Sequence, residues 1–133
     1  MTEEKALKLF ARCYNACDFA AVVRRLHGHA SFEAYKRFYR SDGRESVARL
    51  LAEKAAELRA LPLPNRAYLG FMMVKRDIIG TRCESCVVLT RSDPQQVEGI
   101  VRIKCTPLRV KDIRVLDPAK CQYTRCGYAA QEG

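Results

Sequence analysis

The chain has 133 residues, 48% hydrophobic and 29% charged, with a formal net charge of +9 and a pI near 9.4. That balance suits one globular domain with a buried core and excludes a disordered chain. No stretch approaches the roughly 20 apolar residues of a membrane span, and MTEEKALKLF opens with acids where a secretory signal is basic, so a cytoplasmic protein without membrane association is expected.

The first predicted element runs from Thr2 to about Cys17. Thr2 caps it, Glu3 and Glu4 sit where the helix dipole favours acids, and Leu7, Phe10, Tyr14 and Cys17 recur on one face. Asp18 reads as the cap of a second, short helix carrying Phe19, Val22, Val23 and Leu26 up to Gly28, so Asn15–Asp18 is an elbow between two helices. From Ala30 the period becomes extended through Phe32, Ala34 and Phe38, with Tyr35 and Tyr39 interleaved. Ser41, Asp42 and Gly43 break it, and Asp42 with Glu45 reads as a capping box for a third helix. Val47, Leu50, Leu51, Lys54 and Leu58 mark that helix's buried side, and the prolines of LPLP end it.

Four strands are predicted next, near residues 66–76, 81–91, 96–106 and 111–116, joined by DIIGT, RSDPQQ and TPLRV as an antiparallel meander. The core is expected over about residues 4–117 of a single domain, with a loosely held tail at 118–133. In the third strand Val97, Gly99, Val101, Ile103 and Cys105 share the inner face, against Glu98, Arg102 and Lys104. AYLGFMMV is apolar on both faces, Tyr68, Gly70, Met72 and Val74 against Leu69, Phe71 and Met73. A second protomer is the expected cover for the latter three, with the folded-back tail as the alternative.

YNACDFAAVVRRL, ASFEAY and SDGRESVARLL, followed by the strand meander, resemble the nuclear-transport-factor-2-like superfamily, which includes SnoaL-type cyclases and steroid isomerases. The resemblance implies an α+β cone: three N-terminal helices packed on a strongly curved, mostly antiparallel sheet, often a homodimer. It also implies an apolar pocket, here from Phe10, Tyr14, Phe32, Ala34, Met72, Val101 and Ile103. Laid in register, the isomerase pattern puts Ala34 at its base, Phe10 at its tyrosine and Val101 near its second acid. All three are apolar, so no catalytic set and no cofactor are assigned.

The expected function is therefore binding of a small apolar ligand. A SnoaL- or isomerase-like enzyme is the alternative, which a carboxylate or histidine facing the cavity would favour. His27 and His29 are placed at a helix end, while Glu33 and Asp77 read as solvated surface. Seven cysteines, an odd number, are expected as free thiols. Cys83, Cys86, Cys121 and Cys126 match the count of a zinc site, but residues three apart on a strand point to opposite faces. A basic protein or nucleic-acid interaction module is the third reading, with stripes at Arg102, Lys104, Lys111 and Arg114, and at Arg24, Arg25, Lys36, Arg37 and Arg40.

Overall fold

The computed structural model describes residues 1–36, 39–76 and 80–128. Helix α1 spans Glu3–Ala16, and the Thr2 hydroxyl caps it by accepting from the Lys5 amide at 3.2 Å. Its buried stripe is Ala6, Leu7, Phe10, Ala11, Cys13 and Tyr14. Cys17 ends the helix at φ 55°, in the left-handed region, while the Asp18 and Cys17 amides bond back to the Cys13 and Tyr14 carbonyls. This reciprocal pair satisfies carbonyls that the helix end would leave orphaned.

Asp18 then accepts from the Ala20 amide at 2.9 Å, as the elbow requires. The second helix is shorter than predicted: α2 spans only Ala20–Val23. Gly28 does not stop it but lies inside strand β1, Leu26–Ala34, because Leu26 pairs with Val110 of strand β6, Val110–Leu116. Sheet pairing overrides a helical run whose β-branched Val22 and Val23 are poor helix formers. Strand β2, Tyr39–Asp42, returns beside β1; Arg37 and Phe38 lie outside the described residues.

Helix α3, Arg44–Ala60, buries Val47, Leu51, Ala55 and Leu58, while Leu50 and Lys54 are half-buried. No capping box forms. Gly43 at φ 95° is the N-cap, and the Asp42 carboxylate is held by the Arg40 guanidinium at 3.1 Å. The expectation of three N-terminal helices is corrected in the same way, since α3 follows the β1–β2 hairpin.

Strands β3, Arg66–Arg76, β4, Gly80–Thr90, and β5, Val97–Cys105, form the predicted meander with β6. The tail is not loose. After a short 3-10 turn at Pro118–Lys120, strand β7, Tyr123–Tyr128, pairs antiparallel with β3. The Arg125 guanidinium lies 5.2 Å over the Tyr68 ring and donates to the Pro94 carbonyl at 2.7 Å, fastening β7. The result is an open seven-stranded sheet, ordered β2-β1-β6-β5-β4-β3-β7, antiparallel except for β1 beside β6.

The core lies on both sides of this sheet. The inner face packs Ala67, Val87, Leu89, Val101, Ile103 and Ile113 against α1 and α3. The outer face buries Met72, Cys86, Val88 and Ile100 beneath Cys121 and Tyr123 of the tail. Asn15 joins helix to sheet: its side-chain amide donates to the Ala67 carbonyl at 2.9 Å, and its oxygen accepts from the Ala67 amide at 2.7 Å.

Candidate functional site

A cavity of about 480 Å³ opens between α1, α3 and the inner face of β1. Its apolar wall begins with helical periodicity, which sets Phe10 and Tyr14 side by side on α1, ring centroids 6.3 Å apart. The α1–α2 elbow brings in Phe19, 5.3 Å from Phe10 and 6.3 Å from Tyr14. Phe32, Ala34 and Val115 form the sheet side, and Leu50 and Leu51 the apolar part of the α3 side, which Glu53, Lys54 and Glu57 also line.

Four of the seven predicted pocket residues, Phe10, Tyr14, Phe32 and Ala34, are thus brought together. Val101 and Ile103 face the same side but are sealed in the core beneath it. Met72 is a correction. Odd residues of β3 face the helices, Ala67 and Leu69 among them, so Met72 lies on the outer face with Cys86 and Val88. Leu69 is half-buried against the inner core, whereas Phe71 and Met73 are 46% and 40% exposed. The tail covers the opposite face of that strand.

Glu98 is the residue that alternation missed. Leu89 pairs with Gly99 but Thr90 pairs with Val97, so Glu98 is the extra residue of a bulge. Val97 turns to the outer cluster, and Glu98 joins the cavity lining instead of the outer surface. A glycine inside a strand pattern, Gly99, is the signal for such a bulge. The Glu98 carboxylate accepts from Lys36 Nζ at 2.9 Å on one oxygen and from Arg91 Nε on the other. Its backbone carbonyl accepts the Tyr35 hydroxyl at 2.7 Å. Burial pushes its carboxyl up, but the Arg91 and Lys36 hydrogen bonds and charges outweigh that, so the net shift is below the usual carboxylate range. A carboxylate with both oxygens held and its proton affinity lowered is a poor general base.

Tyr14 is pushed up to about 12, chiefly by burial, with hydrogen bonding to the Asn65 side chain opposing and the Glu98 charge reinforcing. Its hydroxyl therefore stays protonated at neutral pH.

Other candidates fall elsewhere. His27 and His29 lie on β1, not at a helix end; the His29 amide donates to His27 Nδ1 at 2.9 Å. Glu33 is an exterior partner of Arg40 and Arg114, at 3.6 and 3.7 Å, and Asp77 lies outside the described residues. Cys13, Cys17, Cys83, Cys86, Cys105 and Cys121 are free thiols, with Cys83 exposed and Cys86 buried on opposite faces of β4. Burial pushes the Cys13, Cys105 and Cys121 thiols up, away from nucleophilic reactivity. The side chain of Cys126 lies outside the described residues. Among the described residues no three His, Cys, Asp or Glu side chains are grouped to hold a metal, and no helix is long and apolar enough to cross a membrane. The predicted basic stripes are partly neutralised: Arg102 meets Glu84, Arg114 meets Glu33, Lys36 meets Glu98 and Arg40 meets Asp42.

No protein-family model and no curated protein matches the sequence. Solved structures do match its fold. An NTF2-like protein of unknown function from Mesorhizobium loti superposes with a TM-score of 0.57 at 18% identity, covering 86% of this chain and 91% of that one. A SnoaL-like protein of unknown function from Burkholderia thailandensis gives 0.56 at 11% identity, covering 92% and 93%. A cystatin-fold protein from Novosphingobium aromaticivorans gives 0.54 at 15% identity, covering 88% and 99%. The chain has the nuclear-transport-factor-2-like, cystatin-type fold, as its elbow and strand order imply.

Proposed function

We propose that the cavity over Phe10, Tyr14, Phe19, Phe32 and Ala34 binds a small, largely apolar molecule, and that the domain works by binding rather than by acid–base chemistry. The observation that carries this reading is about 480 Å³ of space walled by aromatic and aliphatic side chains, within the ordinary range of small-molecule sites. Of the three carboxylates among its lining residues, Glu98 has both oxygens engaged, Glu57 meets Lys54 at 3.9 Å, and Glu53 is solvent-exposed on α3, which supports binding over proton abstraction. Tyr14 supplies one neutral donor, and the Lys36–Glu98–Arg91 group forms a polar border that orients a ligand's wet end. The fold itself hosts many functions and adds no substrate.

The test is a fluorescence titration with 8-anilinonaphthalene-1-sulfonate, an aromatic probe of suitable size. Saturable binding at one probe per chain is expected. Ala34→Phe, which fills the space from the β1 wall, should weaken it at least tenfold while leaving the melting temperature near wild type. Unsaturable binding, or a variant that binds as well as wild type, would discard the proposal. Self-association through exposed Phe71 and Met73, with Leu69 beside them, belongs to the same proposal, and native mass spectrometry decides it: a monomer removes it.

A further inference from the structure

Three segments distant in sequence meet at the Leu26 end of β1, the far end of the strand from Ala34 and the cavity. They are the α2–β1 turn with the start of β1, the start of β6, and the first turns of α3. Val110 donates its amide to the Arg25 carbonyl at 2.8 Å, and the Arg109 guanidinium donates to the Arg24 carbonyl at 2.8 Å. Lys111 Nζ donates to the His29 carbonyl at 2.6 Å. Gly28 shares an open depression of about 550 Å³ with Arg44, Arg49 and the start of α3. Arg24, Arg25, Arg44, Arg49, Arg109 and Lys111 therefore surround one region, and the five arginines are exposed.

Among the described residues none of these six cations is ion-paired, although Lys36, Arg40, Arg91, Arg102 and Arg114 all are. The acids at the depression do not neutralise it. Asp42 is held by Arg40, and Glu45 is a single exposed carboxylate. The positive charge gathered at this end is thus not offset by ion pairs among the described residues. Arginine's planar fork of donors binds phosphate oxygens two at a time.

We propose that this end of the molecule is a docking surface for the phosphate backbone of a nucleic-acid duplex, bound without regard to base sequence. The concave shape fits a ridge of phosphates better than the flat face of a bilayer. Among the described residues the one large apolar side chain exposed beside the cations is Leu108, too little for anchoring in a membrane. Among the described residues no exposed tyrosine or phenylalanine lies beside these cations, so the patch they form offers no base stacking, the usual grip on single strands. Uniform backbone contact remains.

The experiment is fluorescence anisotropy of a labelled 20-base-pair duplex, as DNA and as RNA, titrated with the full chain from 50 to 300 mM KCl. If four to six phosphates are neutralised, log K should fall against log salt with a slope of about −4 to −5. The triple variant Arg25→Glu/Arg44→Glu/Arg49→Glu removes no described side-chain hydrogen bond and should weaken binding at least 30-fold while flattening the slope. Arg24→Glu/Arg109→Glu/Lys111→Glu should do the same from the other side. The matched control Arg12→Glu/Arg82→Glu/Lys120→Glu changes the net charge equally at exposed positions outside these three segments and should lose less than fivefold. All three should still bind the cavity probe, which separates this proposal from the ligand reading. Equal loss in the control would reduce the effect to overall charge and overturn the surface. A slope near zero, or binding to vesicles of 30% phosphatidylserine but not to duplex, would overturn the partner.

Discussion

The two faces of the sheet are stabilised by different means. Among the described residues the inner face belongs to a cluster of 21 buried residues drawn from the three α-helices, the α1–α2 elbow and five strands, so any one contact is backed by many others. The outer face has a cluster of four buried apolar residues among those described, with Cys121 and Tyr123 of the segment after Leu116 packed over it. Fully burying a Leu, Val or Met side chain contributes about 1.5–3 kcal/mol, so the inner cluster outweighs the outer several-fold before any ordering cost. One face is held by helices whose periodicity specifies them, and the other by an edge strand that depends on a close approach at a single glycine.

The sharpest way to break the inner side is at Asn15, not in the apolar core. Ala67 is fully buried, and both its backbone groups are satisfied by that one side chain, which acts as a substitute peptide group at the sheet. Asn15→Ala leaves a buried donor and acceptor unpaired and should cost about 2–4 kcal/mol, read as a lower urea midpoint with unchanged slope. A loss under about 0.5 kcal/mol would mean that water replaces the amide freely. The outer side breaks at Gly70. A Cβ there would stand 2.4 Å from the Thr124 carbonyl oxygen, a backbone atom that moves only if β7 moves. Gly70→Ala should cost about 1–3 kcal/mol, the usual scale of overpacking. Hydrogen exchange should show residues 123–128 unprotected while α1 is unchanged. If α1 opens together with β7, the two faces form one cooperative unit and the contrast between them fails.

Much of the inner side was readable from the chain. The Leu7, Phe10 and Tyr14 spacing gave α1, the Asp18 cap marked the elbow, and turn residues bounded β3 at 66–76, matching the structure. The outer side was not, for physical reasons. β3 is apolar on both faces, so alternation cannot say which set faces the helices, and Met72 and Leu69 exchange their expected places. Strand β7 carries Tyr123, Thr124 and Arg125, whose pairing with β3 depends on Gly70 some fifty residues earlier. The bulge at Glu98 moves one carboxylate from surface to cavity without altering the local composition.

Tyr14 gives the smallest effect and one confined to alkaline pH. Its pKa is raised from about 10 to about 12 in the folded chain, so between those values the unfolded chain has lost a proton that the native one retains. Stability from this group is complete below pH 10 and declines as pH rises towards 12, because unfolding then releases a proton. At pH 11, one unit past the ordinary value, the expected loss is about 1 kcal/mol. Tyr14→Phe should therefore be less stable than wild type at pH 7, where it lacks the hydroxyl's bond with Asn65, and should narrow that difference by about 1 kcal/mol at pH 11. The comparison also probes the cavity. The raised value depends first on exclusion of water from the wall that Tyr14 shares with Phe10 and Phe19, so urea unfolding of the two proteins at both pH values measures how dry that wall is. A difference that stays constant from pH 7 to 11 would mean that water reaches the hydroxyl and that the cavity is wetter than its aromatic lining implies.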